Sequence, residues 1–199
     1  MNTLIRSTAL GKKAAQILLP IMFIMSLVGC SQVEQVNGQN EDINIITVKE
    51  VLKHELTGPD LEYLRLLEDI PFLSSDASEE EAKAIIERQK EVNNYVRSIY
   101  EPYFTENGLE NFITQTAAYK YHRETDVDYR MSVKNIVVIQ SEKAQNQYDF
   151  TALVNFEANE EKITYEVVGK AIFSEEGKIG SIQLSDTDQL FRDKLNSLP

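Results

Sequence analysis

The spacing of apolar residues changes along the chain from a helical to an alternating pattern. Between residues 47 and 113, apolar side chains recur three or four positions apart, which is typical of helices with one buried face. From about residue 127 to residue 184 they recur at every second position, which is typical of half-buried strands. The pattern predicts an α+β domain, in which N-terminal helices pack on a curved antiparallel sheet of about four strands.

Two helices are predicted before residue 71. Thr47 and Glu50 have the spacing of a capping box, which places the start of the first helix at Thr47. Gly58 and Pro59 interrupt the helical pattern, and Pro59 suits the first turn of a second helix. That helix is expected to stop by Pro71.

The longest helix is predicted after a second capping box, formed by Ser78 and Glu81, and Pro102 ends it. A short helix is predicted after the turn at 103–108. The expected buried stripe of the long helix consists of Ala82, Ile85, Ile86, Val92, Val96 and Ile99.

Four strands are predicted after about Val127. A change in parity at Lys134-Asn135 indicates a bulge in the first strand, and Gly180 indicates another in the last. Turns are predicted at 145–146, 159–161 and 175–178. The expected inward-facing residues are Tyr129, Met131, Val133, Ile136, Val138, Tyr148, Phe150, Ala152, Val154, Phe156, Ile163, Tyr165, Val167, Ala171, Phe173, Ile179, Ile182 and Leu184.

The first 29 residues have the organisation of a secretion signal. Arg6, Lys12 and Lys13 form a basic segment without acidic residues. The apolar segment Ala14–Val28 has 15 residues, which is shorter than the roughly 20 that a membrane-spanning helix needs. A cleavable signal peptide is therefore favoured over a stable membrane span.

The signal ends in Leu27-Val28-Gly29-Cys30, which resembles the lipobox of bacterial lipoproteins. The resemblance implies cleavage between Gly29 and Cys30 and a diacylglyceryl group on the Cys30 thiol. The mature protein would then be lipid-anchored on the extracytoplasmic face of the cell membrane, since two acyl chains anchor firmly. A chance cysteine after an ordinary signal and a short uncleaved anchor are the alternatives.

These features divide the chain into a lipoprotein signal peptide at 1–29, a flexible polar tether at 30–44 and one α+β domain at 45–199. The net charge of −12 argues against nucleic acid as a partner, because Lys and Arg supply phosphate contacts. It also argues against direct binding of the domain to anionic lipid, so the lipid anchor would hold the protein at the membrane. The single cysteine excludes an internal disulfide.

A curved sheet over a long helix is the arrangement of NTF2-like and cystatin-like folds. The runs at 55–60, 99–108 and 177–179 are similar to small, largely uncharacterised lipoproteins of Gram-positive, Bacillus-type bacteria. This resemblance implies a fold and an extracytoplasmic location. It brings no activity and no catalytic residue.

Candidate chemistry is sparse. His54 and His122 are the two histidines, and neither has metal-ligand spacing to another residue. We expect no catalytic residue, no metal and no cofactor. The resemblance to NTF2-like folds implies a ligand pocket between the long helix and the sheet, which one segment could line with Asp128 or Tyr129 in the place of the base. A solvated loop with core tyrosines is favoured. The candidate residues of this segment are Tyr119, Tyr121, His122 and Asp128, with Glu124 and Asp126 nearby.

An aromatic-rich stretch lies at the end of the long helix and continues beyond it. Core packing is favoured for it, and an exposed patch for a protein partner is the alternative. Its members are Tyr95, Tyr100, Tyr103, Phe104 and Phe112.

Three functions fit the sequence. The favoured hypothesis is a membrane-anchored, non-enzymatic binding or protein-interaction domain, with a protein partner or a homodimer as its complex. An NTF2-like ligand-binding or enzymatic domain is the first alternative. A structural accessory of a cell-envelope assembly, such as a secretion or conjugation machine, is the second.

The anchor generates the first prediction. Substitution Cys30→Ala should release the protein from membranes or leave the leader uncut, because the acylated sulfur is lost. Membrane fractionation with an immunoblot checks location and size together. A Cys30→Ala protein that still fractionates as the mature, membrane-bound form would contradict the lipoprotein hypothesis.

Overall fold

The computed structural model describes residues 41–68, 70, 78–115, 118–122 and 128–186. Several predictions lie outside these residues: the leader with Gly29 and Cys30, most of the tether, Pro71, residues 123–127 and the C-terminal tail. The described elements are α1 (Ile43–Leu56), α2 (Leu61–Glu68), α3 (Glu79–Tyr100), a 3₁₀ turn (Glu101–Tyr103), α4 (Glu106–Thr114), β1 (Tyr129–Gln140), β2 (Gln147–Ala158), β3 (Glu161–Glu175) and β4 (Lys178–Asp186).

The four strands form one antiparallel sheet in the order β1-β2-β3-β4, which confirms the predicted α+β class. In the middle of the sheet, Val154 pairs with Val133 on one side and with Tyr165 on the other. The predicted alternation of β2 is confirmed, because all five positions predicted to face inward are buried: Tyr148, Phe150, Ala152, Val154 and Phe156.

Both predicted bulges are present. The β1–β2 register shifts between Val133 and Asn135. On β4, Ser181 pairs with Ile172 and Ile179 pairs with Phe173, so that Gly180 is passed over. Bulges increase the local twist of a strand, which favours a curved sheet.

The prediction that the first helix starts at Thr47 is wrong. The helix begins at Ile43, and the Asp42 carboxylate caps it by accepting a hydrogen bond from the Asn44 N–H at 2.8 Å. Thr47 is buried inside the helix, where its hydroxyl donates to the carbonyl of Gly177 at 3.4 Å. Because the first turn docks on the β3–β4 hairpin, residues 41–44 belong to the folded domain rather than to the tether.

The second helix also starts later than its proline suggests. The Asp60 carboxylate accepts hydrogen bonds from the N–H groups of Glu62 and Tyr63, both at 3.0 Å, so α2 begins at Leu61. The predicted capping box of α3 is confirmed. There the Glu81 N–H donates to Ser78 Oγ at 3.2 Å, and the Ser78 N–H donates to the Glu81 carboxylate at 2.7 Å.

The shorter α1, rather than the long α3, lies along the sheet. It contacts β1, β2 and β4, while α3 packs on α2 and α4. As predicted, Ile85, Val92 and Val96 are buried on α3. Ile86 is 61% exposed and Ala82 is half-buried, so the predicted stripe was too wide. Its neighbours are other helices, which cover a narrower face than a sheet would.

Among the described residues, no helix is both long enough and apolar enough to cross a membrane.

A close approach at the centre of the sheet requires Gly169. A Cβ atom there would lie 2.0 Å from the Gln183 carbonyl oxygen and 2.5 Å from Cζ of Phe150. The Phe150 ring therefore lies directly over the backbone of its cross-strand partner Gly169 on β3.

Substitution Gly169→Ala should lower the free energy of unfolding by about 1–3 kcal/mol, because the backbone or the Phe150 ring must shift. Chemical denaturation monitored by circular dichroism measures the change. Ser181→Ala, at an exposed position of β4, is the control and should be near neutral. Equal stability of the two variants would contradict the close approach.

Candidate functional site

A cluster of polar side chains lies where the end of α1, the start of α2, helix α3 and the segment 118–122 meet. We call it the Glu55 cluster. Its members are Glu55, Asp60, Tyr95, Tyr100, Tyr119 and His122.

The Glu55 carboxyl group is fully buried. Its Oε1 atom accepts a hydrogen bond from the Tyr100 hydroxyl at 2.5 Å and another from the Tyr119 N–H at 2.8 Å. Its Oε2 atom has no hydrogen-bond partner of ordinary geometry among the described residues. Burial raises the pKa of Glu55 to about 7, although the Tyr100 hydroxyl and the amides of Tyr119 and Lys120 oppose the rise.

His122 is buried, and both of its ring nitrogens are hydrogen-bonded. Nδ1 accepts from the Asp60 N–H at 2.9 Å, which places the ring hydrogen on Nε2. Nε2 then faces the carbonyl oxygens of His54 at 3.1 Å and Glu55 at 3.2 Å. The ring thus caps the last turn of α1. Burial lowers the pKa of His122, which keeps the ring neutral.

Asp60 uses both carboxylate oxygens. Oδ1 accepts from the first turn of α2, and Oδ2 accepts from the hydroxyls of Tyr95 at 2.8 Å and Tyr119 at 3.0 Å. Partial burial raises the pKa of Asp60, but hydrogen bonds from the Tyr63 N–H and the two hydroxyls outweigh it and lower the pKa. The ionised carboxylate therefore joins α2 to α3 and to residue 119.

The cluster is filled by the chain itself. A Cβ atom on Gly58 would lie 2.6 Å from Cε1 of His122, so no larger residue fits there. Gly58 also exchanges two backbone hydrogen bonds with Met131 of β1, at 3.1 and 2.6 Å. Tyr119 has a positive φ of 56° and stacks on Tyr63 at 4.3 Å between ring centroids. These contacts indicate an architectural role for the cluster.

The structure brings together some of the sequence-predicted residues. Tyr119 and His122 contact each other at 4.7 Å between ring centroids, and Tyr121 is buried beside them. Asp128 is exposed at the start of β1 and is not part of the cluster. His54 is half-buried, with its ring 6.0 Å from that of Tyr103.

Sequence reasoning missed Glu55 and Asp60. The signal for Glu55 was its position on the apolar face of α1, at helical spacing from Val51 and Leu52. An acidic residue at such a position must be hydrogen-bonded or neutral in the folded state. Asp60 carried the signal of a helix cap, since it precedes the apolar residues of α2.

The aromatic stretch is largely core, as favoured. Tyr100, Phe104 and Phe112 are buried and pack against one another, with the Phe104 and Phe112 rings stacked at 4.8 Å. Tyr95 and Tyr103 are half-buried at its border.

An open concavity of about 850 Å³ shares no member with the Glu55 cluster, although Lys120 lines it and adjoins the cluster. It is lined by Gln115 and Lys120, which follow α4 in the chain, and by residues of β2, β3 and β4. No residue of α3 lines it. Within the described part of the chain, no group of three or more metal-ligating side chains is present. The lining includes Gln115, Lys120, Phe150, Gly169, Ile182 and Leu184.

Apolar side chains are exposed on the outer face of the sheet, which is the face opposite the helices. Val137 is 45% exposed and Ile139 is 64% exposed on β1. Across the sheet, Val137 pairs with Thr151 of β2, and Thr151 pairs with Val168 of β3, so these three residues form a row on the outer face. This surface is the candidate interface of the protein, because exposed apolar patches mark interaction sites.

The free edge of β1 adjoins this surface. Gly58 pairs with the edge at Met131, and the bulge at Lys134 distorts the strand next to it. From Ile136 to Gln140, no described residue pairs with this edge. We call Ile136–Gln140 the open edge.

Comparisons with known proteins add little. No family model and no curated protein matches the chain. Among solved structures, the chain matches one described as the NMR solution structure of the putative transfer protein TraH from Gram-positive conjugative plasmid pIP501. The two share 18% sequence identity with a TM-score of 0.37, over 73% of this chain and 94% of TraH.

The buried carboxyl group generates a pH prediction. Because folding favours protonated Glu55, its contribution to stability is greatest below its ordinary pKa of 4.5 and is lost as the pH rises through about 7. The loss amounts to about 3 kcal/mol. Substitution Glu55→Gln mimics the protonated carboxyl group and should therefore gain stability relative to the wild type as the pH rises from 5 to 8.

Denaturant unfolding at several pH values measures this difference between the two proteins. His122 is present in both, so its own titration largely cancels. Glu87→Gln, at an exposed position of α3, is the control and should follow the wild type at every pH. A Glu55→Gln difference that stays constant with pH would show that Glu55 does not titrate in this range.

Proposed function

We propose that the protein is a lipoprotein, anchored through Cys30 on the extracytoplasmic face of the cell membrane, whose folded domain binds protein and is not an enzyme. The observation that carries the proposal is the exposed apolar surface formed by the outer sheet face and the open edge, with Val137 and Ile139 at its centre. Such a surface is costly to leave in water unless a partner covers it.

The charge of this surface supports protein binding. The chain as a whole carries a net charge of −12, but the outer face of the sheet carries both signs. Its apolar centre is surrounded by charges of opposite sign, so that the net electrostatic field that a partner experiences there is small. The basic residues are Arg130, Lys162 and Lys170, and the acidic residues are Asp149, Glu157 and Glu166.

The Glu55 cluster supports a non-enzymatic role. A general base or acid must reach a substrate atom. Within the cluster, His122 and Asp60 already bind helix ends and tyrosine hydroxyls, and Glu55 is fully buried. The raised pKa of Glu55 follows from its burial in a packed core, so the shift has a structural cause and does not indicate catalysis.

The leader supports the anchored location. The lipobox-like run up to Cys30 is followed by a polar segment, so that the folded residues from 41 onward would stand off the bilayer. The acidic domain would be repelled by anionic headgroups, which leaves its interaction surface accessible to proteins.

Photo-crosslinking in intact cells tests the binding function. Replacing Val137 with p-benzoylphenylalanine should give a protein adduct that depends on ultraviolet light, since this position lies at the centre of the exposed apolar surface. The adduct is detected as a band shift on an immunoblot, and mass spectrometry identifies the captured chain. Recovery of components of a secretion or conjugation machine would assign the accessory role.

Replacement of Ile86 by the same amino acid is the control, because Ile86 is an exposed apolar residue on α3, outside the proposed surface. The proposal is wrong if Val137 gives no protein adduct or the same adducts as Ile86.

A further inference from the structure

Within the described part of the chain, the open edge of β1 is an unprotected strand edge. Natural sheets protect their edges with lysines, prolines, bulges or covering segments, because free backbone N–H and C=O groups pair with other strands. On β1 these devices lie at the beginning, where Gly58 covers Met131 and the bulge at Lys134 follows. From Ile136 to Gln140, none of these devices is present among the described residues.

The open edge is apolar on both faces. Ile136-Val137-Val138-Ile139 is an uninterrupted run of β-branched residues, which strongly favour strand structure. Val137 and Ile139 are exposed on the outer face, whereas Ile136 and Val138 are half-buried on the helical face. A strand added at this edge would cover apolar side chains on both faces in addition to pairing its backbone.

We propose that the added strand is the open edge of a second copy of this chain, so that two copies form one continuous antiparallel sheet. The inference rests on the proposed function and names the partner of the surface described there. An antiparallel pair of identical strands is symmetric about a two-fold axis, so each copy gives and receives the same contacts. With the axis at Val138, Val138 faces its own counterpart on the helical side of the sheet, and Val137 of one copy faces Ile139 of the other on the outer side.

Charge favours a second copy at this position. Two chains with a net charge of −12 repel each other over most of their surfaces. No residue from Asn135 to Gln140 is charged. Lys134 and Glu142 flank the run at opposite ends and are both exposed. In an antiparallel pair, Lys134 of one copy approaches Glu142 of the other.

Tethering would strengthen the pair. Two copies anchored on the same membrane have a much higher effective concentration than free copies, and a weak edge contact becomes populated. The contact itself is β-augmentation, in which backbone hydrogen bonds supply affinity and the side chains set the register.

Cysteine crosslinking in membranes tests the pair. Cys30 is the only cysteine of the chain, so Val137→Cys adds one defined thiol. A short bismaleimide, which reaches across the neighbouring registers, should convert the Val137→Cys protein to a species of two chains. The wild-type protein measures how much of the two-chain species forms through Cys30 alone. Thr164→Cys, exposed on the outer face of β3, is the matched control and should give no such species.

A crosslink at both Val137 and Thr164 would indicate stacking of two outer faces and would overturn edge pairing. Absence of the two-chain species at Val137 would also overturn the inference. If the photo-adduct at Val137 then contains a different protein, the proposed function stands without the second copy. If it contains no protein, both proposals fail.

A second measurement guards against a crosslink made by chance collisions. At high protein concentration, which replaces confinement to a membrane, the full chain solubilised in mild detergent should have the protein mass of two chains in analytical ultracentrifugation. Val137→Lys should reduce it to one chain, because each lysine would face the apolar Ile139 of the other copy and the two lysines would be diagonal neighbours, while its circular dichroism spectrum stays native. Ile86→Lys should remain a dimer, and equal behaviour of the two variants would overturn the inference.

Discussion

The helical layer of this protein depends on one buried carboxyl group, that of Glu55. It lies where α1 ends and holds the Tyr100 hydroxyl of α3 and the backbone of Tyr119 against that end. A charged carboxylate in such a place would be costly, so the folded state favours the protonated form. His122 and Asp60 extend the network by binding the ends of α1 and α2. Segments far apart in the chain are thereby fixed at one point.

The same network connects the helices to the sheet. Gly58 fits against His122 because it has no side chain, and it also pairs with Met131 at the beginning of β1. This pairing covers one part of the β1 edge and leaves the part beyond the bulge open. The architecture of the interior therefore decides which part of the surface is available for an added strand, and the proposed interface is a consequence of how α1 and α2 are joined.

The Glu55 cluster and the proposed interface lie in different places in this fold. Glu55, Asp60 and His122, whose pKa values are perturbed by burial and hydrogen bonding, belong to the Glu55 cluster, where they join helix ends to neighbouring segments. The surface with the features of an interface consists of β-branched side chains and backbone groups, whose chemistry is association. A membrane anchor at Cys30 would suit such a surface, because confinement to a membrane compensates for modest affinity.

The sequence by itself determined the features that depend on neighbouring residues. The alternation of β2, the bulges at Lys134-Asn135 and Gly180 and the capping box at Ser78 were predicted because local backbone geometry and side-chain period produce them. Tertiary structure decided the rest. Thr47 lies inside a helix because its hydroxyl contacts the distant hairpin, and Glu55 is a network centre because residues 100 and 119 fold over it. The open edge exists because strand order places β1 outermost, and strand order depends on contacts between residues that are remote in sequence.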